Sequence, residues 1–478
     1  MSSSFSLFLQ EHTLWVQAIS WAILSVGMIQ NLVYLLQVPA AWKELRARKQ
    51  ADDSDYAWQM MMSDVAIPIS VMIPAYNEET TIVESIRSML SLSYPEVAII
   101  VANDGSKDRT LQVLIEAFSM TPVVRAHEQA VHHAAARGLY GSALYPQLLV
   151  VDKENGGRAD AINAAINYCR TPLFCVVDAD SLLEVESLFG VVRPFMEDPK
   201  HMVAVGGTIR ILNGCTVRQG QVVKAALSRQ FLPLVQTLEY LRSFLMARTA
   251  WSHWGMLSII SGAFGVFRRD IWVDVGGFSD DTVGEDYEMV LKMHRYLRDQ
   301  KRPYKLCYVP ESVCWTQAPE TWHILGSQRR RWQRGALEVF FRYRGMMFRP
   351  RYGKIGMMGI PYSFITDVLG PLTEAFGYLL IPLFWWYGML NTPLMLAYIA
   401  LFFMFGVSIS IYTLILEELE LRRAPSPRDL AILALISVVE NFGYRQVNNL
   451  WRVIGWWEFL RKKKGWGHMV RTAISTPS

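Results

Sequence analysis

The sequence predicts a doubly wound α/β layer set between blocks of membrane-associated α-helix. Three observations predict it. Long uncharged apolar stretches lie on both sides of the chain's middle, short β-rich runs alternate with helical periodicity between them, and each run ends in polar or acidic residues.

At 478 residues the chain exceeds one ordinary domain, and 51% of it is hydrophobic while 19% is charged. That charged share is below the quarter or so usual in soluble domains, so part of the length belongs to a membrane. A net charge of +4 is small for this size. The basic residues gather beside apolar spans, which argues for membrane lipids as partners and excludes nucleic acid as a main one. Five cysteines (Cys169, Cys175, Cys215, Cys307, Cys314) form no CxxC pair and leave one over. Neither zinc nor a disulfide framework is indicated, and a reducing, cytosol-facing domain fits.

Residues 1–42 are expected to hold an N-terminal transmembrane helix. Thr13 to Trp42 carries no charge, and Leu14 to Val38 offers about 25 mostly apolar positions, enough for a hydrocarbon core of roughly 30 Å. The start MSSSFSLFLQEH and the basic exit Lys43-Glu44-Leu45-Arg46-Ala47-Arg48-Lys49 do not suit a cleaved signal peptide, and the exit places residues 43–66, a linker, in the cytoplasm.

Residues 67–335 are expected to form a large folded segment between the membrane blocks and 336–360 interfacial helices. Residues 361–416 form two transmembrane helices, uncharged from Ala375 and broken at Asn391-Thr392-Pro393. Residues 417–429, with Arg422, Arg423 and Arg428, return to the cytoplasm. Residues 430–478 mix apolar positions with Glu440, Asn441, Arg445, Asn448, Asn449 and Arg452 before Arg461-Lys462-Lys463-Lys464. A full crossing would leave that lysine run outside, so an interfacial or re-entrant hairpin ahead of a basic cytoplasmic tail is expected. Together these readings place the protein in the inner (plasma) membrane as a multi-pass protein whose 67–335 segment is cytoplasmic.

Within that folded segment, Ile69 to Ile73, Val97 to Ala102, Leu148 to Val151 and Leu173 to Val177 have the character of strands buried on both faces. Ile82, Val83, Ile86, Met89 and Leu90 share a helix face after the first run, and Ala161, Ile162, Ala165 and Ile166 do so after the third. Ligands of such layers sit beyond the carboxyl ends of the strands. Pro74-Ala75-Tyr76-Asn77-Glu78, Asn103-Asp104-Gly105-Ser106, Asp152-Lys153 and Asp178-Ala179-Asp180 occupy those ends. Val123 to Tyr145 reads as an edge insertion. Lys224 to Trp251, with Leu234, Leu238, Leu241 and Leu245 at helical spacing, suits either a membrane-surface helix or an ordinary buried one.

Asp178 and Asp180 flank one residue at a strand end, so both carboxylates can turn to the same side and hold Mg²⁺ or Mn²⁺ against substrate phosphates. A solvated acidic turn is the plain alternative. Gly284-Glu285-Asp286 stands where a helix begins, and an acid there serves either as a cap or, for Asp286, as a general base within reach of an attacking hydroxyl. In Gln328-Arg329-Arg330-Arg331-Trp332 the guanidinium groups suit diphosphate oxygens and the indole suits a sugar ring, although a basic helix at a membrane surface has the same composition. His127-Glu128 followed by His132 and His133 lacks the four-residue spacing of a zinc protease.

Asn103-Asp104-Gly105-Ser106, Lys153-Glu154-Asn155-Gly156-Gly157-Arg158-Ala159-Asp160, Asp178-Ala179-Asp180, Ser261-Gly262-Ala263-Phe264, Glu285-Asp286 and Gln328-Arg329-Arg330-Arg331-Trp332 resemble, in order, the motifs of processive membrane-bound family 2 glycosyltransferases. That group includes the hyaluronan, chitin, cellulose and poly-N-acetylglucosamine synthases. The resemblance implies a GT-A (Rossmann-like) fold, a UDP-sugar donor, Mg²⁺ or Mn²⁺, and inversion at the anomeric carbon. It assigns catalysis to Asp286, donor binding to Asp104, Lys153, Arg158, Asp178, Asp180, Gln328 and Arg331, and the metal to Asp180. Trp332, Ser261, Gly262 and Glu285 would contact the acceptor. Arg158 stands where Lys is usual, Gly284 where Thr often precedes the acids, and Gln317 where Glu is common.

The expected activity is hexosyl transfer from UDP-N-acetylglucosamine or UDP-glucose into an exopolysaccharide, with or without secretion of the product. Transfer of a single sugar to a membrane lipid and a catalytically silent scaffold are the alternatives. A polymer path with few spans calls for the polar last segment, a partner subunit or a homo-oligomer.

Overall fold

The computed structural model describes residues 13–51, 66–421 and 426–463. Residues 52–65 of the expected linker, the MSSSFSLFLQEH start, Arg422, Arg423 and Lys464 lie outside the described residues.

The catalytic segment runs through β1 (Ile69–Ala75), helix Ile82–Leu90, β2 (Val97–Asp104), helix Thr110–Phe118, β3 (Met120–Pro122), β4 (Ala136–Ser142), β5 (Leu148–Lys153), helix Arg158–Tyr168 and β6 (Leu173–Val177). It continues with β7 (Ser181–Leu183), helix Ser187–Glu197, β8 (Met202–Ile211), the small β9–β10 pair (Thr216–Arg218, Gln221–Lys224), β11 (Phe264–Arg268) and β12 (Lys305–Thr316). The main sheet has ten strands ordered β3-β4-β5-β2-β1-β6-β11-β8-β12-β7.

β1 pairs in parallel with β2 and β6, and β2 with β5. These are the four runs read as buried strands, and both of their faces are covered. Ile69, Val71, Val101, Val150, Val151, Phe174 and Val177 have almost no exposed surface, each such burial contributing about 1.5–3 kcal/mol. β2 lies on one side of β1 and β6 on the other, so the strand order reverses there and a ligand crevice is expected beyond the carboxyl ends of β1 and β6.

The other half of the sheet has no counterpart among the four sequence runs. β11 runs antiparallel between β6 and β8, and β12 pairs in parallel with β8. The 123–145 stretch supplies the edge, where β4 lies antiparallel to β5 and β3 to β4.

Lys224 to Trp251 follows the buried alternative. After β10 the chain forms helix Phe231–Tyr240, a π-helical stretch Leu241–Arg248 and helix Thr249–His253. Leu238, Leu241 and Leu245 are buried in a cluster with Leu325, Ile409, Leu414 and Leu433. The run is therefore a wedge between the catalytic sheet and the apolar helices.

Among the described residues, three helices are long and apolar enough to cross a membrane by length and composition: Gln17–Gln50, Ile355–Trp386 and Met395–Leu419. The first helix, Thr13–Ala51, does not stop at Trp42 but carries its basic residues as further helical turns. The second begins with π-helical stretches Ile355–Gly359 and Phe364–Leu369. The last segment forms Pro427–Val439 and Tyr444–Leu460, which meet at 62°. Gly443, at φ 94°, makes that corner in a region that few other residues adopt.

Helices Glu285–Asp299 and Trp322–Tyr343 touch through two glycines. A Cβ on Gly335 would lie 2.9 Å from the Gly284 nitrogen and 3.0 Å from its Cα, both backbone atoms that cannot swing aside. Gly335→Ala should therefore lower stability by about 1–3 kcal/mol through overpacking. Thermal unfolding of the full chain checks this, with Gly345→Ala as control because a Cβ there meets nothing within 4 Å.

Candidate active site

β2 and β5 end side by side, with Asp104 paired in register to Lys153. The Lys153 ammonium is fully buried and binds Asp104 Oδ1 at 2.6 Å and Asp160 Oδ1 at 2.5 Å. It also donates to the Glu154 carbonyl at 2.5 Å. Asp104 in turn accepts from the backbone N–H of Gly156 at 2.9 Å and of Gly157 at 2.8 Å, and from Asn155 Nδ2 at 3.0 Å. Asp160 accepts from the Ala134 N–H at 2.9 Å. Both residues assigned to the donor thus face inward, where they pin the Glu154–Gly157 loop to the strand ends. Asp160 has no role in the sequence reading, although it sits in the first turn of helix Arg158–Tyr168.

The loop delivers Arg158 to the centre of the crevice. Its Nε and Nη2 donate to Asp178 Oδ1 at 3.0 and 2.8 Å, its Nη1 to Glu285 Oε1 at 3.0 Å and its Nη2 to the Gly262 carbonyl at 2.7 Å. One guanidinium so joins the end of β6, the Ser261–Ala263 turn ahead of β11 and the start of helix Glu285–Asp299. Lysine could not make these four bonds, since its ammonium has three donors on a single atom. The facing carboxylates raise the Arg158 guanidinium further above its ordinary range, despite burial. A Cβ on Gly262 would lie 2.8 Å from Arg158 Nη2, so a larger residue in this turn would have to displace the guanidinium.

Asp286 Oδ2 accepts from the Gly262 N–H at 3.2 Å, and its Oδ1 from the Tyr287 N–H at 2.8 Å. Glu285 beside it is buried, and burial pushes its carboxyl up to about 7 against the pull of Arg158. Arg331 lies in the same field. Burial lowers its guanidinium, the charges of Glu285, Asp178 and Asp286 oppose that, and Arg158 adds to it. Gln328 is part-buried, and its amide oxygen is enclosed without a protein partner. Trp332 is 42% exposed, a large fraction for an indole. Ser261 Oγ accepts from the Ala263 N–H at 3.4 Å.

The structure therefore gathers Arg158, Asp178, Glu285, Asp286, Gly262 and Arg331 in one place and sets Asp104 and Lys153 beneath them. Among the described residues no group of three His, Cys, Asp or Glu side chains could hold a metal ion by itself. Asp178 and Asp180 still fit a hard cation whose shell is completed by phosphate oxygens. Asp180 is half-buried, and Ser181 Oγ donates to its Oδ1 at 3.4 Å. In the histidine-rich stretch, His133 Nδ1 lies 2.6 Å from the Ala134 carbonyl and His127 stacks against Tyr168.

A GT-A sheet whose strand-end carboxylates meet an acid pair and a cationic, aromatic helix defines a glycosyltransferase. Residues 67–335 match the family "Glycosyltransferase like family 2", and the chain belongs to that family. It is 30% identical over 275 residues to poly-beta-1,6-N-acetyl-D-glucosamine synthase of Staphylococcus epidermidis, covering 57% of this chain and 56% of the relative. The synthase of the same name from Staphylococcus aureus strain COL is 28% identical over the same extent. The chain thus spans about half the length of these curated relatives. The mannosyltransferase PcManGT of Pyrobaculum calidifontis, solved with GDP-Man and Mn²⁺, shares the fold at a TM-score of 0.53 and 17% identity, covering 94% of this chain and 100% of that one.

The raised Glu285 carboxyl has a consequence for stability. Its folded-state value of about 7 lies above its ordinary 4.5, so the folded protein holds a proton that the unfolded chain has released. That contribution is present in full below about pH 4.5 and is lost as pH rises through about 7. Glu285→Gln should remove this dependence, so that the ratio of variant to wild-type stability climbs across that window. Thermal unfolding in detergent at a series of pH values measures it.

Proposed function

We propose that this chain is an inverting, divalent-metal-dependent glycosyltransferase that polymerises sugar from a UDP-sugar at the cytoplasmic face of the inner (plasma) membrane. The observation that carries this reading is the convergence on Arg158. A strand-end carboxylate suited to a donor diphosphate and a second carboxylate beside a glycine turn meet around it, and the helix that brings Arg331 into their field also carries an exposed indole. The similarity to poly-N-acetylglucosamine synthases makes UDP-N-acetylglucosamine the leading donor, with UDP-glucose next.

In this reading Asp286 accepts the proton of the acceptor hydroxyl as that oxygen attacks the anomeric carbon from the face opposite the diphosphate. The bond from the anomeric carbon to the diphosphate oxygen breaks, and UDP leaves with the electron pair. Arg331 lies where its charge stabilises the departing diphosphate. Asp180, with Asp178 beside it, would hold Mg²⁺ or Mn²⁺, which when bound neutralises phosphate charge. Gln328 offers its partnerless amide oxygen to a hydroxyl of the substrate, and Trp332 offers an aromatic face to the acceptor sugar. Ser261, Gly262 and Glu285 border the same space. Lys153 and Asp104 act by holding the loop that presents Arg158. The three apolar helices and the bent last segment support a membrane location, and a partner subunit or second copy would complete a path for polymer.

UDP release by the full chain in lipid nanodiscs, with Mn²⁺ or Mg²⁺ and a panel of UDP-sugars, tests this, with products sized on a gel. One donor giving a ladder or long polymer is the expected result. A single-sugar product formed only when lipid is supplied would replace it with lipid glycosylation, and no release from any donor would replace it with a silent scaffold.

Asp286→Asn should leave UDP affinity nearly unchanged while turnover falls by about 10²–10⁴-fold. Calorimetric UDP binding beside the release assay separates these effects, and lost UDP binding would give Asp286 a structural role instead.

A further inference from the structure

The helix that carries Gln328, Arg331 and Trp332 is held from behind by helix Tyr444–Leu460. A Cβ on Gly326 would lie 2.6 Å from the Trp451 indole nitrogen, and a Cβ on Gly455 would lie 2.8 Å from the Arg330 carbonyl oxygen. Glycine on each side thus lets the two helices approach closely. Arg452 completes the contact, donating from Nε to Gln333 Oε1 at 2.9 Å and from Nη2 to the Thr366 carbonyl at 2.8 Å.

A second connection reaches Trp332 itself. The Arg329 guanidinium lies 4.6 Å from the centre of the Trp332 ring. Arg329 is ion-paired to Glu239 on helix Phe231–Tyr240, and their side chains are 11% and 17% exposed. Glu239 Oε2 also accepts from the Tyr444 hydroxyl at 3.0 Å. Tyr444 is 4% exposed, stands next to the Gly443 corner and packs against the rings of Phe231 and Trp322. A part-buried carboxylate held by both a guanidinium and a phenol has little freedom, so the guanidinium it fixes has little either.

We propose that Glu239 and Tyr444 are positioning residues that hold Arg329 against the Trp332 indole and so set the ring for the acceptor sugar. The acceptor platform then takes its orientation from the last, bent pair of helices and from the wedge helix, not from the catalytic sheet alone. The proposal rests on the reading of Trp332 as the acceptor contact. The hydrogen bonds of Glu239 and Tyr444 run to Arg329 and to each other, away from Asp178, Glu285 and Asp286, so the donor side should be insensitive to both.

The test uses the full chain in lipid nanodiscs as wild type, Tyr444→Phe, Glu239→Gln and Glu239→Asp. With 5-fluorotryptophan incorporated, the ¹⁹F resonance of Trp332, assigned by Trp332→Phe, reports the indole's setting with no substrate present. UDP release gives separate KM values for UDP-sugar and for an oligosaccharide acceptor. Tyr444→Phe and Glu239→Gln should shift or broaden the Trp332 resonance and raise the acceptor KM about tenfold, as expected for losing a hydrogen bond to a charged group. The donor KM should stay within about twofold, and Glu239→Asp should recover part of the loss. An unmoved Trp332 resonance, or donor and acceptor KM values rising together with a lowered Tm, would overturn the proposal. Should the wild type transfer no sugar, the polymerase reading fails, and the resonance alone still decides whether Glu239 and Tyr444 orient the ring.

Discussion

The buried ammonium of Lys153 is the contact on which the candidate site depends. It lies between the carboxylates of Asp104 and Asp160 with no exposed surface, so three charges share a space that water does not reach. The trio carries one negative charge in excess, and the N–H groups of Gly156, Gly157 and Ala134 point at it. Such a cluster is not a source of great net stability, because desolvation offsets much of the Coulombic gain. Its value is positional. Removing Lys153 would strand two facing carboxylates at a cost of about 3–5 kcal/mol, and this holds the loop after β5 to one path.

That path starts helix Arg158–Tyr168 at the crevice, and its first residue becomes the hub of the site. Arg158 spends its donors on Asp178, Glu285 and a backbone carbonyl, so three segments far apart in the chain meet on one side chain. In the proposed reading a donor diphosphate entering this space would compete with Asp178 and Glu285 for the Arg158 guanidinium. That competition would change the field at Glu285, whose carboxyl already titrates near neutrality. Donor binding in that reading would be coupled to the protonation of Glu285 through a single planar cation.

The parallel half of the sheet was legible because its strands are buried on both faces, and a continuous β-branched run such as Val97 to Ala102 suits little else than a covered strand. The strand-end acids were legible for a related reason, since a carboxylate at the mouth of a buried strand has a limited set of uses. What stayed hidden depended on partners distant in sequence. Asp104 and Lys153 look alike as ligand groups whether they face outward or each other, and only the register of β2 against β5 brings them together. β11 is short and apolar, and nothing local distinguishes an antiparallel insertion from a parallel continuation. Arg158 in place of lysine looks like a weakness for phosphate binding, yet its fork geometry is what three separate acceptors require. Gly284 likewise looks like a departure until Gly335 is seen against it.

These glycine contacts show how a catalytic sheet and a set of apolar helices come to act as one body. The acid helix touches the Trp322–Tyr343 helix at Gly284 and Gly335, and that helix touches the last one at Gly326 and Gly455. Each contact leaves no room for a methyl group, so displacement of one helix is transmitted to the next with little slack. Polar bonds run alongside. Tyr287, next to Asp286, pairs its hydroxyl with Ser363 at 2.8 Å, and Gln333 donates to the Asp367 carbonyl at 2.5 Å. Ser363 ends the short α-helical turn Ile360–Ser363 and pairs through its hydroxyl, whereas Asp367 lies in the π-helical stretch Phe364–Leu369, whose irregular ladder frees its carbonyl to accept. The geometry around Asp286 is thus set partly by helices of membrane length, and the catalytic segment would not be expected to keep its site geometry if separated from them.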